Sequence, residues 1–126
     1  MGLRIFGETL EELFVNAGVA LFELITEIEK VGEKESVDFN IEAEDRRELL
    51  VRWLSELHFK FEVDRLLFKR FEISEMSERS LEAKGYGEKF DPVRHELKTE
   101  IKGVTYHQLK VETREEGWVA EVIFDV

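Results

Sequence analysis

The sequence predicts an α+β domain in which two helices pack on mostly antiparallel β-sheet. Two stretches of its first half carry apolar residues at helical spacing, and almost everything else alternates apolar with polar residues as half-buried strands do. Several strand patterns then follow one another across short polar turns, which suits antiparallel pairing. A parallel strand–helix–strand start is the alternative, because strands alternate with helices in the first half. The 126 residues are 43% hydrophobic and include ten phenylalanines, enough to build a core without cysteines. One domain is expected over residues 1–126.

A short strand opens the chain. From Glu8 to Glu29 the residues Leu10, Leu13, Phe14, Ala17, Ala20, Leu21, Leu24, Ile25 and Ile28 form one apolar stripe, predicting the first helix. Gly18 weakens that helix relative to alanine, which predicts a close packing contact there. Val31 to Lys34 read as a charged turn, and Ser36 to Ile41 alternate as a strand with Val37, Phe39 and Ile41 inward. Helical spacing returns from Glu44 to Phe61 through Leu49, Leu50, Trp53, Leu54, Leu57 and Phe61, with Arg46, Arg47, Arg52 and Glu56 largely on the other face. Strands are then predicted over Leu66–Ile73 and Ser80–Tyr86, joined by the polar turn Ser74–Arg79. Gly85 and Gly87 mark where the second bends or ends. A polar loop from Gly87 to Glu96 holds the only proline, Pro92. Strand patterns over Thr99–Val111 and Trp118–Phe124, separated by Arg114-Glu115-Glu116-Gly117, close the chain.

With 29 acidic against 18 basic residues the net charge is −11, which repels a phosphate backbone and disfavours autonomous nucleic-acid binding. A basic partner surface or a bound cation suits that charge, as does simple solubility. The absence of cysteine excludes disulfides, zinc thiolates and a thiol nucleophile. No charged leader or membrane-length apolar run is present, so the chain is expected to be soluble and cytoplasmic. Gly2 does not signal myristoylation, because Phe6 stands where that motif needs Ser or Thr. There is no phosphate-binding glycine loop, zinc-protease helix motif or nucleophile-elbow serine.

The candidate residues are few. His58 falls in the second predicted helix and reads as a surface or interfacial residue. His95 lies in a loop beside Glu96 with no spaced partner, and His107 lies in a predicted strand beside Tyr106, where a structural hydrogen bond is the expected role. Asp125 follows an apolar run and immediately precedes Val126, the last residue, so two oxygen anions close the chain. Such oxygens suit hard cations, which need six or more ligands in all. Lys98, Glu100 and Lys102 alternate and are expected on one strand face, as a surface ladder of charges.

The run Lys98-Thr99-Glu100-Ile101-Lys102-Gly103-Val104-Thr105-Tyr106-His107 resembles a signature of the archease family: lysine, acidic, apolar, lysine, small, apolar, Thr-Tyr-His. Gly7-Glu8-Thr9-Leu10-Glu11-Glu12-Leu13-Phe14, Trp53-Leu54-Ser55-Glu56-Leu57, Tyr86-Gly87-Glu88, Asp91-Pro92 and the closing Ile123-Phe124-Asp125-Val126 extend the resemblance over nearly the whole chain in order. The resemblance implies an archease-like fold and an accessory protein, not an enzyme. Its partner would be an RtcB-type RNA-splicing ligase acting in tRNA splicing and RNA repair. That ligase uses GTP and Mn²⁺ to guanylylate its own active-site histidine, and the family promotes this step and restores turnover. The same resemblance implies a divalent cation (Ca²⁺, Mg²⁺ or Mn²⁺) at Asp125 and Val126, with Lys102 serving ligase activation. Lys98, His107 and His95 would be accessory to that site. The family's His-Thr-Ala-Asp motif would fall just upstream of Met1, leaving one carboxylate fewer, so the cation is expected to bind weakly. Two rival expectations stand beside this one. The first is a small metal-dependent hydrolase using Asp125, His95 and His107; the second is a metal-binding chaperone or protein-interaction module, which the acidity favours. No sequence feature sets an oligomeric state.

Overall fold

The computed structural model describes every residue from Met1 to Val126. Strand β1 (Gly2–Gly7) leads into helix α1 (Leu10–Ile25). The helix starts at Thr9, whose Oγ1 accepts the Glu12 N–H at 3.1 Å, and Glu11 and Glu12 in the first turn suit the positive end of the helix dipole. It stops at Thr26, whose extended backbone ends the ladder and whose buried hydroxyl donates to the Glu96 carbonyl at 2.6 Å. The helix therefore ends before the expected Glu29. A separate 3-10 turn, Ile28–Lys30, follows, and Val31 is buried rather than part of a charged turn.

Strand β2 (Glu35–Glu42) carries Phe39 and Ile41 into the core, with Val37 half-buried on the same side. Helix α2 (Arg46–Asp64) is capped by Asp45, whose carboxylate accepts the Glu48 N–H at 2.9 Å. It ends where Arg65 turns left-handed at φ 56° and lays its guanidinium over the Phe61 ring, 4.4 Å from the centroid. Strands β3 (Leu66–Met76), β4 (Ser80–Lys89), β5 (Gly103–Arg114) and β6 (Gly117–Asp125) complete the chain.

The strands form two three-stranded sheets, β1-β6-β5 and β2-β4-β3, and every pairing is antiparallel. The expected α+β class with two helices on antiparallel sheet holds. The parallel start does not, since β1 and β2 lie in different sheets. Helix α1 packs against β1 of one sheet and β3 of the other, and α2 against β5 of one and β2–β4 of the other, so each helix spans both sheets. Between them, Trp53 on α2 donates its indole N–H to the Phe14 carbonyl on α1 at 2.9 Å. Its ring meets Phe39 and Phe71 edge-on at 5.3 and 5.4 Å, and Phe68 and Phe22 extend the aromatic cluster.

Two strand boundaries depart from expectation for a steric and a hydrogen-bonding reason. Gly85 and Gly87 lie inside β4, which runs on to Lys89. A Cβ at Gly85 would press on the Phe68 ring, and one at Gly87 would fall on the Leu67 carbonyl, where the β3–β4 ladder shifts register between Phe68 and Arg70. These glycines thus permit close approach instead of ending the strand. Strand β5 starts at Gly103 instead of Thr99, because the preceding backbone bonds to the end of α1: Lys98 N–H reaches the Ile25 carbonyl at 2.7 Å and Thr99 N–H the Leu24 carbonyl at 3.1 Å.

Candidate functional site

The β5–β6 hairpin turns at Arg114–Gly117, where Gly117 adopts φ 134°. Its register sets Gly103 opposite Asp125, and the Lys102 N–H donates to the Asp125 carbonyl at 2.7 Å. On the other side of β6, the Phe124 N–H donates to the Met1 carbonyl at 2.8 Å and the Met1 ammonium to the Phe124 carbonyl at 3.1 Å. Met1, Lys102 and Asp125 therefore meet at one corner of the β1-β6-β5 sheet. Ile101 and Phe124 are buried, whereas the Lys102 and Asp125 side chains and Val126 are exposed to solvent.

The accessory candidates separate. Lys98 does not share a strand face with Lys102, since residues 98–102 precede β5. Its ammonium instead donates to the Glu23 carbonyl at 3.0 Å, and with its backbone N–H it satisfies free carbonyls at the negative end of α1. His107 is exposed on β5 within an irregular stretch between Thr105 and Lys110, where Gln108 is left-handed at φ 55°. Its backbone N–H donates to Thr105 Oγ1 at 3.1 Å while its ring makes no hydrogen bond, so the structural bond expected of that ring is absent. His58 is interfacial as expected, bonded to the Ile101 carbonyl and 3.4 Å from Glu62.

His95 is fully committed elsewhere. Its partner is Glu88 on β4, not the adjacent Glu96. Nδ1 accepts the Asp91 N–H at 2.9 Å, so Nε2 carries the ring proton and donates to Glu88 Oε2 at 2.9 Å. No ring nitrogen is left for a metal, which removes His95 from the corner and undercuts the hydrolase built on His95, His107 and Asp125. Sequence reasoning missed Glu88 and Arg94. The Glu88 carboxylate is buried, accepting both Arg94 Nη atoms at 2.8 and 2.9 Å and the Gly32 N–H at 2.6 Å, with Lys34 Nζ at 3.6 Å. The Arg94 guanidinium, helped by Gly32 and His95, holds that carboxyl well below the usual carboxylate range against the opposing effect of burial. A weak signal was present: Glu88 and Asp91 both belong to short matches with the resembled family, at the start of the loop this network pins.

As a cation site the corner has the right donor chemistry and too few donors. Asp125 and Val126 offer hard oxygens, but nowhere do three or more His, Cys, Asp or Glu side chains gather as a metal cage. A hard cation with six or more ligands would have to draw most of them from water or from another molecule.

Fold and corner together define a class: a small α+β domain of two three-stranded antiparallel sheets, spanned by two helices, that joins the Lys102 and Asp125 backbones where strand ends meet and leaves both side chains exposed. The chain belongs to the archease family; the model of the Archease protein family (MTH1598/TM1083) matches residues 1–126. Protein archease of Methanopyrus kandleri is 44% identical over 126 residues, covering 98% of this chain and 90% of that protein. Protein archease of Pyrococcus abyssi is 40% identical, covering 100% of this chain and 92% of the relative. Among solved structures, protein 1598 of Methanobacterium thermoautotrophicum superposes with a TM-score of 0.80 at 32% identity, over 99% of this chain and 91% of that one. An archease, possible chaperone, from Thermotoga maritima has a TM-score of 0.68 at 22% identity, over 100% of this chain and 90% of that one, and so shares the fold. No helix of the chain is long and apolar enough to cross a membrane.

Proposed function

We propose that this chain is an accessory protein of an RtcB-type RNA-splicing ligase, working in the cytoplasm in tRNA splicing and promoting guanylylation and repeated turnover of the ligase. The observation that carries this reading is the meeting of Lys102 and Asp125, distant in sequence, across a 2.7 Å backbone hydrogen bond with both side chains solvent-facing. In the proposed complex the Lys102 ammonium contacts an anionic group at the ligase's nucleotide pocket. The oxygens of Asp125 and Val126 contribute to a divalent cation, Ca²⁺, Mg²⁺ or Mn²⁺, whose remaining ligands come from water and the ligase. Two carboxylates alone hold such an ion weakly. The antiparallel register bears on the affinity: Met1 lies opposite Phe124, so a residue joined ahead of Met1 falls opposite Asp125. A chain extended there with an aspartate is therefore expected to titrate with Ca²⁺ or Mn²⁺ more tightly than this one in calorimetry.

The test of function mixes the protein with its cognate ligase, GTP and Mn²⁺ and follows the guanylylated ligase over time. Guanylylation is expected to accelerate, and Lys102→Ala and Asp125→Ala are each expected to reduce the acceleration about tenfold or more, as removing one member of a desolvated charge contact does. Circular dichroism should be unchanged, because both side chains are exposed. If neither this chain nor the extended one accelerates guanylylation, the ligase reading fails and a metal-binding chaperone or interaction module is favoured.

A further inference from the structure

Strand β2 is an edge of its sheet: residues Glu35 to Glu42 pair with β4 along one side only. In an antiparallel strand alternate residues turn their N–H and C=O groups to the other side, and here no backbone bond within the chain takes them. Helix α2 runs beside this free edge. A groove of about 360 Å³ lies between them, lined on the strand side by Asn40, Ile41 and Glu42 and on the helix side by Arg52, Glu56 and Phe59 among others. Phe59 is 54% exposed, and Val63, one turn further along α2, is 59% exposed. The helix thus presents an uncovered apolar ridge next to unpaired backbone, the two features that strand addition uses for specificity and for affinity.

Charge selects the occupant. Arg52 is the cation of the groove, and Glu48 holds it at 2.8 Å, so Glu42 and Glu56 set the local charge as negative. A second copy of this chain is a poor fit: pairing β2 with β2 would bring an acidic edge carrying Glu35, Asp38 and Glu42 against itself, on molecules each of net charge −11. We propose that the groove between the free edge of β2 and α2 binds an extended segment of a partner protein by strand addition, with small apolar side chains against Phe59 and Lys or Arg toward Glu42 and Glu56. This surface involves neither Lys102 nor Asp125.

The probe is an acetylated, amidated peptide that alternates Lys with Val and Leu, labelled for fluorescence anisotropy. It is compared with the same peptide N-methylated at alternate amides and with a version carrying Glu for Lys. Saturable binding of the Lys peptide is expected, lost on N-methylation and absent with Glu. Phe59→Ser should weaken it about tenfold as an exposed anchor is removed, and Glu42→Gln with Glu56→Gln should weaken it and flatten its salt dependence. Amide shifts of Glu35 to Glu42 should move on titration. The proposal is overturned if no saturable binding occurs, if the N-methylated peptide binds equally well, or if sedimentation shows a dimer that Phe59→Ser dissolves. The peptide comparisons use the unaltered protein, so the outcome does not hang on how any variant folds.

Discussion

Glu88 shows how one buried charge organises a loop. Its carboxylate gathers Arg94 and His95 from the loop after β4, and the Gly32 N–H from the segment after α1. Replacing it with Gln would turn an amide donor toward Arg94 or Gly32 while removing the charge the guanidinium faces. Breaking a fully buried pair costs about 3–5 kcal/mol, but the charge left behind here, Arg94, is 44% exposed and solvated, so a smaller loss of about 2 kcal/mol, mainly from the lost hydrogen bonds to the charged carboxylate, is expected in urea unfolding. The pH dependence has a definite sign. The folded carboxyl titrates below its unfolded value, so its stabilisation is fully present above the ordinary glutamate range and is lost as pH falls from that range toward the folded value. Unfolding free energy should therefore fall more steeply with acid in the parent protein than in Glu88→Gln, and parallel curves would show that Glu88 carries no such linkage. Beyond its place in a short family-like match, little of this is legible in the sequence, because the pattern assigns Glu88 to the polar loop Gly87–Glu96, where a charged side chain is ordinarily solvated, whereas β4 runs on to Lys89 and buries it. The exposed members of the candidate site, Lys102 and Asp125, were legible as residues, and their adjacency was not. Alternation states which face a side chain takes, not which strand lies alongside.

At the scale of elements, the helices are legible because apolar spacing is a local signal, while their first residues are set by the caps Thr9 and Asp45, which the spacing does not show. Strand ends were read less well, because they are settled by contacts across space. Residues 98–102 look like the start of a strand since Lys98, Glu100 and Lys102 alternate with Thr99 and Ile101, yet the backbone N–H groups of Lys98 and Thr99 bond carbonyls at the end of α1. The glycines of β4 look like breaks since glycine weakens strands, yet Gly87 sits where β3 bulges into it. That bulge yields a contrast between two glycine substitutions. Gly87→Ala would drive a methyl group into the Leu67 carbonyl, a backbone atom that cannot swing aside, whereas an alanine at Gly103 meets nothing within 4 Å. Gly87→Ala is expected to cost about 3 kcal/mol, the upper range for overpacking, or to prevent folding. Gly103→Ala should stay within about 0.5 kcal/mol of the parent. Thermal unfolding of the two variants checks this, and equal midpoints would mean that the bulge relaxes freely around a Cβ.

At the scale of the molecule, two sheets that share no strand could in principle behave as separate units. The packing argues otherwise. The buried apolar residues form one cluster that draws on both sheets, with Ile5, Val111 and Ala120 from one joined through α1 and α2 to Phe39, Phe68 and Leu81 from the other. Arg46 adds a tie at the surface, donating to the Val111 carbonyl at 3.0 Å and to Glu78 at 2.9 Å while its guanidinium lies 5.1 Å from the Trp118 ring. Neither sheet can lose its helices without exposing the face of the other, so unfolding should be a single cooperative transition. The two tryptophans allow a direct check, since Trp53 lies in the shared core and Trp118 in β6. Trp53→Phe gives up the bond to the Phe14 carbonyl and part of the contact with Phe39 and Phe71, at a cost of about 2–3 kcal/mol, and leaves Trp118 as the sole indole. In that variant Trp118 fluorescence reports the β1-β6-β5 sheet, while far-ultraviolet circular dichroism is weighted toward the helices. The two urea transitions should coincide, shifted together below that of the parent. If the fluorescence moves first, the sheet bearing the Lys102–Asp125 corner opens independently of the helices, and the corner rests on a mobile support instead of the common core.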